Sequence, residues 1–214
     1  MTAVILANGE FPRKEYPLWL LQNADVVVCC DSARNPGRLK KLGIEPVAVV
    51  GDMDSTPQTV RKALGDKAVK VGEQDYNDLN KAFLWLRENY PQATDIHILG
   101  ATGKSEAHAL GNLSYLMFWE RRYGLSAAGI NVDIVSDYNT AFAVSDSCEL
   151  HVGVGRKVSF FSSDAGLKIK SAGLQWPTDS VKFDFWFKAS LNRATSDIIT
   201  LSFNHPAPLL IILD

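Results

Sequence analysis

Strand-like and helix-like segments alternate through the first two-thirds of this chain, and that alternation restricts its fold more than any other feature. Apolar runs fall at residues 3–7, 25–30, 46–50, 68–71, 95–99 and 131–135. Several are unbroken Val/Ile/Leu stretches, as expected where both faces of a strand are covered. Helical patterns lie between them. In residues 78–90, Leu79, Ala82, Phe83, Leu86 and Tyr90 recur at helical spacing, with Asn77 placed to cap the start and Pro91 to stop the end. A second helix is expected over residues 106–122, with Leu110, Leu113, Leu116 and Met117 turned inward. This order predicts an α/β domain with a mainly parallel sheet, in which ligands bind beyond the C-terminal ends of the strands. The pattern changes near residue 140. Segments 141–144, 148–152, 157–161, 167–169, 180–187, 197–203 and 209–213 are short and β-like, with glycine and proline between them. Residues 1–140 therefore read as the α/β domain and 141–214 as an all-β, sandwich-like domain. Phe183, Phe185 and Phe187 alternate, which gives one strand an apolar face for the opposing sheet or for a subunit contact.

The bulk numbers exclude several classes. With a net charge of −2 and no Lys/Arg-rich run, the chain offers no field to recruit nucleic acid. No apolar run nears the roughly 18 residues that span a bilayer, so no membrane partner is expected. The start reads as a first strand rather than a signal peptide. Three cysteines, two of them adjacent (Cys29, Cys30), make neither a disulfide framework nor a zinc spacing. They read as buried thiols in a reducing, cytoplasmic compartment. The histidines are scattered, which leaves a His-based metal site without support.

Four motifs carry chemistry. In Val47-Ala48-Val49-Val50-Gly51-Asp52-Met53-Asp54-Ser55, an apolar run ends in two carboxylates spaced two apart. If strand geometry persists, both project to one side. Two anions about 4 Å apart repel by about 4 kcal/mol at an effective dielectric of 20. No basic residue lies within six positions to offset this. A hard, oxygen-ligated cation such as Mg2+ would do so; the alternative is an acidic turn that caps the next helix. One strand later, Glu73-Gln74-Asp75-Tyr76-Asn77-Asp78 brings a second acidic group to a helix N-terminus. Ile98-Leu99-Gly100-Ala101-Thr102-Gly103-Lys104-Ser105 looks like a P-loop, but its glycines are three apart where that motif needs five. It can still offer backbone N–H groups and Lys104 to an anion; otherwise it is a tight turn. In Cys30-Asp31-Ser32-Ala33-Arg34-Asn35, Arg34 and Asn35 either contact a nucleotide or cap a helix. Trp176 reads by default as a core residue, and alternatively as a platform for a flat heteroaromatic ring.

Together, in this order and with a β-rich tail, these motifs resemble the thiamine pyrophosphokinase (thiamin diphosphokinase) family over nearly the whole chain. Gly51-Asp52-Met53-Asp54-Ser55 is similar to the family's G-D-x-D-S, and Glu73–Asp78 to its D-Q-D-x-T-D. Gly100-Ala101-Thr102-Gly103, with His108 and Asn112 following, is similar to its G-x-x-G-G-R-x-D-H segment. Asp31–Asn35 is similar to D-G-G-A-N, and Ala189-Ser190-Leu191-Asn192 is a loose form of G-T-S-N. The resemblance implies ATP-dependent pyrophosphoryl transfer to the hydroxyethyl oxygen of thiamine, with release of AMP. It implies that Asp52, Asp54 and Asp78 are catalytic and hold Mg2+. It further implies a nucleotide site that includes Asp31, Asn35, Gln74, Asp75, Asn77, Gly100, Thr102, Gly103, Lys104 and His108. Asn192, Ser190 and Trp176 are the implied thiamine contacts. The implied assembly is a homodimer with active sites at the subunit interface. Asp54 or Asp78 is the candidate proton acceptor. Ser105 and Ala107 stand where the family has Arg and Asp. That departure leaves two alternatives: a thiamine- or nucleotide-binding homologue with impaired turnover, and a pyrophosphokinase for another heterocyclic alcohol such as a pterin.

Overall fold

A computed structural model describes residues 1–32, 35–54 and 56–214. The chain divides into two compact units. The first comprises Met1–Asn112 and Ile130–Asp137, the second Leu113–Gly129 and Tyr138–Asp214.

In the first unit, strands β1 (Thr2–Leu6), β2 (Val26–Cys30), β3 (Ala48–Gly51), β4 (Ala68–Lys70), β5 (Asp95–Leu99) and β6 (Asn131–Val135) pair with one another in parallel. Their order is β6-β5-β1-β2-β3-β4. β1 and β2 are almost wholly buried, as their unbroken apolar sequences demand. Val4, Leu6, Val27, Cys29, Val49 and Leu99 contribute to one core cluster with Leu20, Leu21 and Leu39. The last two groups come from helices α1 (Glu15–Asn23) and α2 (Asn35–Lys41). Helix α3 (Gln58–Leu64) precedes β4, and α4 (Asp78–Asn89) follows it. Asn77 caps α4: its side-chain oxygen accepts the Asn80 N–H. Leu79, Ala82, Phe83 and Leu86 of α4 are buried, on the spacing the sequence predicted. The strand order reverses beside β1, whose neighbours are β2 and β5. That switch point opens a crevice at the C-terminal strand ends.

Helix α5 (Glu106–Tyr123) corrects one expectation. Leu116 is buried as predicted, but Leu110 is 51% exposed, and the other fully buried apolar side chain is Trp119. Beside it lies a buried acid, Glu120, which accepts bonds from the Ser126 N–H, the Ser126 hydroxyl and the Ser145 hydroxyl. Three donors offset the cost of burying that charge.

The second unit is β-rich, with two sets of antiparallel strands. One has the order β11-β9-β13-β7, built from Ala189–Arg193, Lys157–Phe161, Leu209–Leu213 and Thr140–Val144. The other has the order β10-β12-β8, built from Ile169–Ala172, Ile198–Phe203 and Cys148–His151. Val158, Phe160, Ile169, Ile199, Leu201 and Leu209 form their shared core. The strand expected over residues 180–187 is a run of turns instead. Phe183 is buried, but Phe185, Trp186 and Phe187 are all about half exposed or more. The alternation of phenylalanines therefore marked no sheet face; the strand begins after them, at Ala189. Among the described residues no helix is long and apolar enough to cross a membrane.

One ion pair makes the first unit sensitive to pH. His97 on β5 faces Asp133 on β6, with Nδ1 2.7 Å from Oδ1. Burial, the largest influence, pulls the imidazole down, but the bond to Asp133 and the charges of Asp133 and Asp95 outweigh it. The net shift is upward from 6.5. A raised folded-state value stabilises fully below pH 6.5, and the contribution is lost as pH rises through the folded value. His97→Gln is therefore expected to lose about 1–2 kcal/mol at pH 5.5 and much less at pH 9. Thermal melts of both proteins at the two pH values measure this; an equal loss at both would remove the pair from the account.

Candidate active site

The crevice at the switch point holds a cavity of about 390 Å3. Ala7, Asn8 and Gly9 after β1, Cys30 and Asp31 at β2, and Ala101, Thr102, Lys104 and Ser105 after β5 contribute to its wall. Asn77 and Asp78 at the start of α4, and His108 and Asn112 in the first two turns of α5, close it. The β1 and β5 loops are laced together. Ala7 N–H donates to the Leu99 carbonyl at 2.8 Å, Gly9 N–H to Gly100 at 2.6 Å and Glu10 N–H to Thr102 at 2.8 Å. Gly9 must be glycine, because a Cβ there would stand 2.4 Å from the Gly100 oxygen and 2.5 Å from that of Thr102. An amide chain ties the far wall. Asn77 donates to Asn112 at 3.0 Å, and Asn112 donates to the Ala101 carbonyl at 2.7 Å.

Asp31, Asp52 and Asp78 converge. One carboxylate oxygen from each lies within 4.8 Å of the others. Each pair repels by about 3–4 kcal/mol at an effective dielectric of 20. Several contacts hold them there. The Thr56 hydroxyl donates to Asp31, and the Asp54 N–H donates to Asp52 at 3.0 Å. The Asp52 N–H bonds to Asp78. Burial pushes the Asp78 carboxyl up, with Lys81 opposing and Asp52 and Asp31 adding to the rise. The Asp54 N–H holds Asp52 below the usual carboxylate range, helped by Lys81 and a bond to Gln74.

Asp54 is not in the converged group. β3 ends at Gly51, and Met53 adopts φ 68° with its side chain buried in the core. That left-handed residue costs of order 1–3 kcal/mol. It turns the chain so that Asp54 does not continue the strand line that the sequence spacing assumed. Asp31 joins Asp52 and Asp78 instead, a position that sequence reading assigned to the nucleotide turn.

Lys81 was missed. Its side chain is 3% exposed, and Nζ lies 3.6 Å from Asp78 Oδ1. It sits one turn into α4 among apolar residues, so only its charge, on a face otherwise buried, marked it. It offsets one of three negative charges. The donor set left over is hard and all-oxygen, which suits Mg2+ rather than a thiolate-loving metal. Cys30 offers no thiolate, because burial and then the charge of Asp78 push its pKa well up.

The other predicted residues separate by surroundings. Asn77, Thr102, Lys104 and His108 line the cavity, and Lys104 Nζ donates to the Asn8 carbonyl at 3.2 Å. Gly100 and Gly103 turn the loop at φ 67° and 81°. Gln74 reaches Asp52, while Asp75 is exposed and its N–H bonds to Glu73. Asn35 is buried and ties α2 to β1 by donating to the Ala7 carbonyl at 2.8 Å, so it braces the crevice wall. Ser105 caps α5 by accepting the His108 N–H at 3.5 Å. Arg34 and Ser55 lie outside the described residues.

In the second unit, Trp176 is 55% exposed, which overturns the expectation of a core tryptophan. Asn192 is buried and grips the Trp176 backbone, donating to its carbonyl at 2.6 Å and accepting its N–H at 3.2 Å. Ser190 is exposed in the bulged start of β11, next to Leu191 at φ 59°.

A parallel sheet with carboxylates, helix starts and a glycine turn at its switch point is built as a nucleotide-binding enzyme site is. Residues 18–125 match the family described as "Thiamin pyrophosphokinase, catalytic domain" and residues 140–206 the one described as "Thiamin pyrophosphokinase, substrate-binding domain". The chain belongs to the thiamin pyrophosphokinase family. It is an enzyme of ATP-dependent pyrophosphoryl transfer to thiamine, and the two alternatives are not favoured. Solved structures share the fold. The Bacillus subtilis thiamine pyrophosphokinase is 22% identical with a TM-score of 0.76, covering 100% of this chain and 99% of that one. The Geobacillus thermodenitrificans protein is 22% identical at 0.77, covering 100% and 97%. The yeast enzyme is 14% identical at 0.73, covering 100% and 86%. No curated protein sequence matches the chain.

Proposed function

We propose that Asp31, Asp52 and Asp78 hold Mg2+ against the triphosphate of ATP, and that Asp54 completes the catalytic set from the adjoining turn. The convergence of three carboxylates within 4.8 Å, two of which line the first cavity, carries this reading. The ion, when bound, neutralises phosphate charge and polarises the β-phosphorus. The protein's own share is positioning and electrostatics. Asn77, Thr102, Gly103, Lys104 and His108 line the polyphosphate, Gly100 shapes its loop, and Gln74 and Asp75 flank it. Asp31 and Asn35 set the β2 edge. Lys81 keeps the acidic group compact.

Residues 1–140 form the catalytic domain in this reading. Residues 141–214 form the domain that binds thiamine and joins two copies. Trp176 and Ser190 are exposed for contact with thiamine, and Asn192 acts by fixing the Trp176 backbone. Trp176, Phe185, Trp186, Phe187 and Leu191 are all exposed on the second unit, and so much apolar surface suits a partner. A homodimer with active sites at the subunit interface accounts for it. A cytoplasmic enzyme accords with three unpaired cysteines.

The direct test is incubation with MgATP and thiamine, with products separated by chromatography. AMP and thiamine diphosphate are expected in equal amounts, dependent on the divalent ion. ADP in place of AMP would exclude the reaction, and turnover undiminished by chelator would exclude the metal.

A further inference from the structure

We propose that a cationic cavity adjoining the nucleotide site receives the phosphate of the departing nucleoside monophosphate. This cavity, of about 620 Å3, shares Asn8, Gly9 and Lys104 with the first. The inference rests on the pyrophosphoryl-transfer reading and adds where the leaving group goes.

Charge is the reason to look for such a site. Lys104 is the only lysine or arginine among the described residues that line the first cavity, whereas Asp31 and Asp78 both face it. The position that would supply an arginine by resemblance holds Ser105, which is engaged in capping α5. The adjoining cavity reverses the balance: among the described residues, Arg13, Arg38, Lys41 and Lys104 line it against Glu10 alone. Arg13 is bound to that glutamate at 2.8 Å. Lys41 has no ion-pair partner among the described residues. Arg38 lies 5.2 Å over the Phe11 ring. A guanidinium over a ring face can still use its N–H groups to meet an anion.

The reaction calls for charge at that spot. The acceptor hydroxyl oxygen forms a bond to the β-phosphorus as the bond from that phosphorus to the α,β-bridging oxygen breaks. The electron pair stays on the α-phosphate, which leaves as AMP with one more negative charge, and the hydroxyl proton passes to solvent. Cations set where that charge develops stabilise the transition state more than the bound substrate. Lys104 lines both cavities, and Arg38 and Lys41 line the second.

The test compares AMP with adenosine, two ligands that differ by the phosphate alone, by calorimetry with Mg2+ present. The wild type is expected to bind AMP at least about tenfold more tightly. R38Q/K41Q should bring the two within about twofold, and R38K should keep most of the preference. In turnover, R38Q/K41Q should raise the ATP KM and the AMP inhibition constant together and leave the thiamine KM unchanged. A preference for AMP that survives in R38Q/K41Q overturns the proposal. Melting curves establish that the variants fold; if loss of the Phe11 stack unfolds R38Q, the exposed Lys41→Gln alone decides, by the same ratio. Absence of AMP formation by the wild type would strike at the reaction assigned above, and the binding ratio is read independently of turnover.

Discussion

Asp52→Asn is expected to lower AMP formation by more than about 10²–10³-fold while the protein melts at the wild-type temperature. The amide has the shape of the carboxylate and its oxygen can still accept the Asp54 N–H, now 3.0 Å away. What disappears is one of three charges gathered within 4.8 Å. Melting curves of the two proteins separate a loss of activity from a loss of fold. Divalent-ion binding gives a second readout: Mn2+ affinity, followed by calorimetry, should fall at least about tenfold. Wild-type turnover with wild-type Mn2+ affinity would remove Asp52 from the site. Asp54→Asn in the same two assays tells whether the fourth carboxylate takes part: lost turnover places it in the catalytic set, and unchanged affinity would leave Asp31 as the third ligand.

The contrast between Asp54 and Asp31 shows where sequence reading reaches its limit. Strand periodicity placed Asp52 and Asp78 at neighbouring strand and helix ends, because Val47–Gly51 and the Asn77 cap are local signals. Spacing alone also paired Asp52 with Asp54. The positive φ of Met53, with its side chain drawn into the core, turned the chain between them. Asp31 comes from a separate strand, and only the β2–β3 register brings it alongside, where its N–H reaches the Val50 carbonyl at 2.8 Å. Lys81 is a similar case: a lysine in a helical pattern reads as solvated unless the acid it meets is known. In the β-rich unit, alternation of Phe183, Phe185 and Phe187 imitated a strand, because exposed aromatic side chains at a turn leave the same period as a sheet face. Trp176 was misread for a related cause. Composition makes tryptophan a core residue by default, and what exposes it is Asn192, which holds its backbone from 16 positions away.

Gly51→Ala should be a damaging single-methyl change beside the carboxylates. A Cβ at Gly51 would stand 2.4 Å from the Asp31 Cβ and 2.9 Å from Asp78 Oδ1. Neither neighbour can give way cheaply. Asp31 is held by its N–H to Val50 and by the Thr56 hydroxyl, and Asp78 begins α4 behind its Asn77 cap. The backbone of β3 must therefore move, at a cost of about 1–3 kcal/mol for such overpacking. For a chain of this size that is a fall of roughly 2–12 °C in melting temperature. Activity should fall further than stability, because displacement by about 1 Å is enough to cost a hundredfold where catalysis depends on alignment. Gly37→Ala is the matched control: it lies within α2 with nothing within 4 Å of the added carbon. Its helix should gain slightly from alanine. If the two variants melted and turned over alike, the close approach of Asp31 and Asp78 around Gly51 could not be what aligns the site.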